Sequence, residues 1–289
     1  MRFQGIKVLV TGASGFIGSR LAERLVTEGA EVHVLLRNDA QAEPLHRLGC
    51  RSFLGDIAIS DSLLPAVNDC KYIFHCAGDR GGNSLDVSRA INVKGTLNLL
   101  AAASLAQVKR MVHVSSVAVH GHPLPPLVTE ELPLQNKGGT YTISKTEGEQ
   151  AALNFARTHD TQVVVVRPTL VYGPGSSDWV LRPFSHVKEE TIALIDGGVG
   201  LANLIYIDDL LEGLLLSAQA PNAAGEAFLL SGQQPVTWRD YLGAFVRCAI
   251  NRYRLQYRCG EHAAASYGHK CFSASPAGLN PSTYRSLPR

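Results

Sequence analysis

The sequence predicts an α/β fold, a doubly wound parallel sheet covered by helices on both faces, joined to a smaller, interleaved carboxyl-terminal lobe. Three observations predict it. Short apolar runs recur along the first half with helical stretches between most of them. The runs are near-continuous rather than alternating, as strands buried on both faces require. Finally, 45% apolar against 18% charged residues is the composition of an ordinary globular interior.

In order, Ile6–Val10 is a first strand stopped by glycines, and Phe16 to Glu28 follows with apolar residues at 16, 17, 21, 25 and 26, a helical stripe. Val32–Leu36, Arg51–Leu54, Tyr72–His75, Met111–Val114 and Val163–Val166 read as strands two to six. The helical stretches Val87–Ala106 and Tyr141–Thr158 fall among them. After Pro168 the texture changes to a Tyr172-Gly173-Pro174-Gly175 loop and shorter elements. Asp208-Asp209 precede a leucine-rich helix to Ala220, and Trp238 opens another through Ala249. The expected organisation is therefore 1–167 as the sheet domain, 168–250 as the interleaved lobe, and 251–289 as a basic tail with six Lys and Arg against Glu261 alone.

A length of 289 residues suits one such core with its lobe. The net charge of +2 gives no reason to expect nucleic acid as a partner. The six cysteines, at 50, 70, 76, 248, 259 and 271, form no Cys-x-x-Cys or other metal-ligand spacing, and no metal is expected. No apolar run approaches the ~20 residues of a membrane span, and the amino-terminal segment is too short for a signal sequence. A cytoplasmic protein with reduced thiols is the expectation.

Thr11-Gly12-Ala13-Ser14-Gly15-Phe16-Ile17-Gly18 spaces glycines by three between the first strand and the first helix. A tight turn, bare backbone and a helix amino terminus together suit a dinucleotide pyrophosphate, the Rossmann-type arrangement. About 20 residues on, where an acid binds the ribose hydroxyls of NAD, the chain has Leu36-Arg37-Asn38. The Arg37 guanidinium suits the 2′-phosphate of NADP, so NADP is preferred over NAD. Gly55-Asp56-Ile57, closing the third strand, would put a carboxylate near the adenine amino group, or serve as a turn aspartate.

Tyr141 and Lys145 stand four residues apart, hence on one helix face. A phenol is a usable acid or base near neutral pH when a cation favours its ionised form. Ser115-Ser116 close the fifth strand at the sheet edge where ligands of parallel sheets bind. Asn92 is a poor helix former inside an apolar helix, read as a relay residue or a tolerated polar one.

As a set, the glycine turn, Gly55-Asp56, His75-Cys76-Ala77-Gly78, Asn92-Val93-Lys94-Gly95-Thr96, Ser115-Ser116, Tyr141–Lys145 and Arg167-Pro168 with Val171-Tyr172-Gly173-Pro174-Gly175 resemble the extended short-chain dehydrogenase/reductases, the NAD-dependent epimerase/dehydratase family. The resemblance spans residues 6 to 250 and is read as stopping there. It implies a hydride-transfer enzyme with Tyr141 as acid/base, Lys145 as its activator and ribose ligand, Ser116 polarising the substrate oxygen and Asn92 supporting the relay. It also implies dinucleotide contacts from Gly12, Ser14, Gly15, Phe16, Ile17, Gly18, Ile57 and Ala77, and from Pro168 and Val171 on the nicotinamide side.

Departures from the family pattern narrow the reaction. Val117-Ala118 replace the Asp-Glu pair of the 4,6-dehydratases, and Arg167-Pro168-Thr169-Leu170 lacks the Asn of many nucleotide-sugar epimerases. The Arg-Pro form and Arg37 look closer to the dihydroflavonol-reductase-like and 3β-hydroxysteroid-dehydrogenase-like branch. The leading expectation is an NADP-linked oxidoreductase of a carbonyl or secondary-alcohol compound. A nucleotide-sugar epimerase with tightly bound NAD is the alternative, and a non-catalytic dinucleotide-binding protein a third. The partner is a small molecule, a carbonyl compound, an alcohol or a nucleotide sugar, and a homodimer is allowed for. His120, where many members have Tyr, is expected to face substrate or solvent, and Glu130 and Glu131 are read as solvated.

Overall fold

The computed structural model describes residues 1–125 and 127–249, so the expected basic tail at 251–289 lies outside the described residues. Nine strands are described: β1 (Lys7–Thr11), β2 (Glu31–Leu36), β3 (Arg51–Leu54), β4 (Tyr72–His75), β5 (Arg110–Val114), β6 (Gln162–Pro168), β7 (Leu170–Tyr172), β8 (Leu204–Tyr206) and β9 (Ala227–Leu230). Seven of them form one sheet in the order β3-β2-β1-β4-β5-β6-β9, with every pairing parallel. β7 and β8 make a separate pair. The order reverses between β1 and β4, which opens a crevice beyond their carboxyl ends.

The helices are α1 (Phe16–Thr27), α2 (Ala42–Arg47), α3 (Leu64–Val67), α4 (Leu85–Arg89), α5 (Thr96–Leu105), α6 (Thr140–Ala156), α7 (Arg182–Lys188) and α8 (Ile207–Gln219). Period-two alternation sorts the strand side chains onto two faces. Val8, Val10, Val32, Val34, Phe74, Val112 and Val166 join Leu21 and Leu25 of α1 and Leu210, Leu211, Leu214 and Leu215 of α8 in one cluster. Leu9, Leu35, Ile73, Met111, Val163 and Val165 join Val67 of α3, Leu99 and Leu100 of α5 and Ala152 of α6 in the other. The sheet is thus covered on both sides, as its apolar strands demand.

The chain divides into two compact units, residues 1–171 with 205–231, and residues 172–204 with those from 232 onward. The return of 205–231 has a local cause. Arg110, buried at the start of β5, donates to the carbonyls of Ser217, Ala218 and Ala220 at 2.9, 3.0 and 2.7 Å, closing the carboxyl end of α8. β9 then adds to the β6 edge in the register Val165↔Ala227 to Pro168↔Leu230. The second unit holds α7, a bridge between Leu201 and Thr237, and a helix over 238–249 that matches the expectation from Trp238. Within it Tyr172, Trp179, Trp238, Tyr241 and Phe245 pack ring against ring, and the Tyr241 hydroxyl donates to the Trp179 carbonyl.

One expected element differs. The helix read over Val87–Ala106 is interrupted by a wide π turn at Ala90–Gly95, between α4 and α5. Asn92 sits in that turn and is buried.

Candidate active site

β1 delivers Thr11 to the crevice, and the chain turns at Gly12 with φ +71°. A Cβ on Gly12 would stand 2.7 Å from the Ala77 nitrogen, and one on Gly18 would stand 2.2 Å from the Gly12 carbonyl oxygen. Both positions exclude a side chain, so the turn lies flat against the end of β4. α1 starts with Gly15 as its N-cap and no side-chain cap, which leaves first-turn N–H groups for an anion. This bare cradle fits a dinucleotide pyrophosphate. Phe16 and Ile17 pack against the core, and Ser14 is exposed.

At the end of β2, Arg37 is exposed and Asn38 caps Ala40 N at 2.9 Å. Asp56 accepts from Ala58 N at 2.9 Å, the turn geometry of an aspartate, while Ile57 is buried against Gly95. Pro168 ends β6, and the Val171 side chain lies in the core cluster.

The catalytic set gathers at the carboxyl end of β5. Lys145 is buried and donates to the Val114 carbonyl at 2.7 Å. Ser116 caps the following turn by accepting from Ala118 N at 3.1 Å. Its hydroxyl is hydrogen-bonded to the Tyr141 phenol. Burial pushes that phenol above its ordinary value, against the opposing pulls of the Ser116 bond and the Arg80 charge. Burial also brings Lys145 down to about 8, with the negative charge of Glu149 acting the other way.

Asn92 uses its amide entirely on backbone and helix. Its Oδ1 accepts from Asp79 N at 2.8 Å, and its Nδ2 donates to Asp79 O at 3.1 Å and to Ser144 Oγ at 2.9 Å. The structure brings it together with Tyr141 and Lys145 through Ser144, which donates to the Tyr141 carbonyl.

Sequence reasoning missed the groups that support this set. His75, quoted above only as part of a motif, bridges Thr11 Oγ1 at 2.8 Å and Thr96 Oγ1 at 3.0 Å. The Thr96 hydroxyl donates to the Asn92 carbonyl at 2.8 Å, so His75 Nε2 carries the ring proton and gives it to Thr96. Nδ1 then accepts from Thr11, whose oxygen takes the Ala77 N–H at 3.3 Å. A directed chain of hydrogen bonds therefore runs from the glycine turn to the π turn. Burial holds His75 at about 3, neutral throughout the working pH range.

Beneath the set lies Glu149, fully buried. It accepts from Ser115 Oγ at 2.6 Å and from Arg167 Nε and Nη2 at 3.0 and 2.6 Å. Arg167 Nη1 also reaches the Glu130 carbonyl at 3.0 Å and His120 Nε2 at 3.3 Å. His120 thus faces neither substrate nor solvent: it is buried against Arg167. Glu130, read from sequence as solvated, accepts from Leu229 N at 2.9 Å and ties its loop to β9. Gly148 is the other missed residue, since a Cβ there would lie 2.3 Å from the Asn92 carbonyl oxygen. An isolated glycine inside a helical pattern was the available signal.

Residues 8–230 match the model of the NAD dependent epimerase/dehydratase family. The chain is 31% identical over 241 residues to the 4-hydroxy-2-methyl-3-oxo-4-farnesyl-3,4-dihydroquinoline-1-oxide ketoreductase of Stigmatella aurantiaca, covering 82% of this chain and 71% of that protein. It is 31% identical over 275 residues to the 2-alkyl-3-oxoalkanoate reductase of Stenotrophomonas maltophilia, covering 92% of this chain and 82% of that one. A match of that length extends past residue 250, where the resemblance had been read as stopping. Among solved structures, MoeE5 in complex with UDP-glucose and NAD superposes with a TM-score of 0.72 at 26% identity, over 84% of this chain and 81% of the other. Fold, glycine cradle and these likenesses agree: the chain is an enzyme of the NAD-dependent epimerase/dehydratase family.

Proposed function

We propose that this enzyme is an NADP-linked reductase of a ketone, with the reverse oxidation of a secondary alcohol as its back reaction. The observation that carries the reading is the Tyr141 phenol, hydrogen-bonded to Ser116 and raised by burial, so that it is an acid with a proton to give at neutral pH. The ketoreductase and 3-oxoalkanoate reductase likenesses support the same direction. Arg37 in place of a ribose-binding acid supports the NADP preference. Free thiols at Cys50, Cys70, Cys76 and Cys248 support a cytoplasmic setting.

In this reading the glycine turn and α1 hold the pyrophosphate, and Lys145 holds the nicotinamide ribose. The dinucleotide, when bound, supplies the hydride. Ser116 and Tyr141 donate to the substrate oxygen, and Tyr141 passes its proton to the oxygen as negative charge develops there. Lys145, an ammonium below about pH 8, lowers the cost of the phenolate left behind. Asn92, Ser144 and His75 fix these groups.

Purified protein should consume NADPH with 3-oxo compounds, and Tyr141→Phe should lower kcat by roughly 10²- to 10⁴-fold with cofactor affinity unchanged. Protein that retains non-exchanging NAD and reduces no member of a carbonyl panel would overturn the reductase reading. That result would favour a nucleotide-sugar epimerase, the second reading, which the likeness to MoeE5 supports.

A further inference from the structure

The loop after β4, Gly78-Asp79-Arg80-Gly81-Gly82-Asn83-Ser84, is more heavily braced than its exposure requires. The Asp79 carboxylate accepts from Asn83 Nδ2 at 2.7 Å, from Ser88 Oγ at 2.6 Å and from Gly81 N at 3.3 Å. Its backbone N–H and carbonyl are both taken by Asn92 at 2.8 and 3.1 Å. Partial burial pushes the carboxyl up, but these donors together hold it below its ordinary value. The acid is therefore spent inside the loop. Gly81 closes the loop onto the catalytic helix, for a Cβ there would lie 3.4 Å from the Tyr141 Cβ.

Between Asp79 and Gly81 stands Arg80, exposed, and it is the loop's one basic residue. Its side chain is of comparable reach to the neighbouring tyrosine, and its charge is felt at the phenol. Such a cation is misplaced if the phenol is its purpose. It favours phenolate, whereas an acid catalyst must keep its proton. The conflict disappears when the substrate brings a negative charge of its own, which neutralises the guanidinium and returns the phenol to its acid form.

The geometry points to Arg80 as a specificity-determining residue that binds a carboxylate on the substrate, making the natural substrate class the oxo acids and their hydroxy-acid products. One guanidinium matches one carboxylate in a two-pronged pair, while a diphosphate calls for more than one cation. The inference rests on the reductase reading and specifies the substrate of that site.

The test compares 3-hydroxyoctanoate with its methyl ester, each oxidised with NADP, in the wild-type protein, Arg80→Met and Arg80→Lys. Calorimetric binding of both compounds to the NADP-loaded protein is measured alongside. A charge-assisted bond contributes roughly 10- to 100-fold. The wild type should favour the acid by about that factor. Arg80→Met should raise KM for the acid alone, leaving the ester and NADP affinity unchanged, and Arg80→Lys should restore part of the preference. Equal efficiency on acid and ester in the wild type, equal losses for both in Arg80→Met, or a loss of NADP affinity would overturn the role of Arg80 while leaving the reductase reading intact. Turnover and binding of neither compound, with no reduction of other carbonyls, would overturn the reading and the inference together.

Discussion

Replacing Gly148 by alanine should reverse the usual effect of that substitution. In an unobstructed helix interior the change gains up to about 1 kcal/mol, because glycine is the more flexible residue in the unfolded chain. At residue 148 the new Cβ would sit 2.3 Å from the Asn92 carbonyl oxygen and 3.1 Å from its carbon, both backbone atoms. An ordinary contact needs roughly 1 Å more, and overpacking of this kind costs about 1–3 kcal/mol. Since Asn92 is fixed by Thr96, Ser144 and Asp79, the shift falls on α6, which carries Tyr141 and Lys145. A displacement of about 1 Å in a catalytic group can cost about 10²-fold in rate. Thermal melts and NADPH consumption, with exposed Gln150→Ala on the same helix as control, check both consequences. A raised Tm with full activity would refute the reasoning.

Arg37→Ala should weaken NADP binding by roughly 10- to 100-fold and leave NAD binding nearly unchanged, as measured by fluorescence titration with each cofactor. An unchanged NADP preference would remove Arg37 from the phosphate site. Ketone reduction should hold level up to about pH 8 and fall above it as Lys145 loses its proton, a limb visible in kcat against pH. His113 is fully buried with neither ring nitrogen hydrogen-bonded, and burial, with Lys145 and His75 nearby, holds it well below its ordinary value. The unfolded chain therefore binds its proton first, so stability is full above about pH 6.5 and declines as the pH falls. His113→Leu should be nearly neutral at pH 7 and should recover about 2 kcal/mol at pH 5, measured by denaturant titration.

The sequence periods located β1 to β6 to within two residues at each end because those strands are buried on both faces and bounded by glycines or caps. β9 escaped because its four residues, Ala227–Leu230, follow a turn and gain their identity only by pairing with β6. Tyr141, Lys145 and Ser116 were legible because helix spacing and strand ends place them without reference to anything distant. His75, Glu149 and Arg167 were not, since each acts through partners far away in the chain: Thr96 and Thr11 for His75, Ser115 for Glu149, Glu130 for Arg167. The π turn also has no period of its own. It reads as helix until the Asn92 amide is seen bonded to Asp79 and Ser144.

The return of residues 205–231 to the sheet has a consequence for synthesis. A ribosome releases β1 to β6 well before α8 and β9, so for that interval one apolar face lacks the leucines of α8 and β6 is an unpaired edge. Such an edge is open to association with other nascent chains. Arg110 waits equally long, without the α8 carbonyls that will later receive it. A truncation ending at residue 167 would make that interval permanent, so the smallest independently stable piece of this enzyme is not a prefix of its sequence.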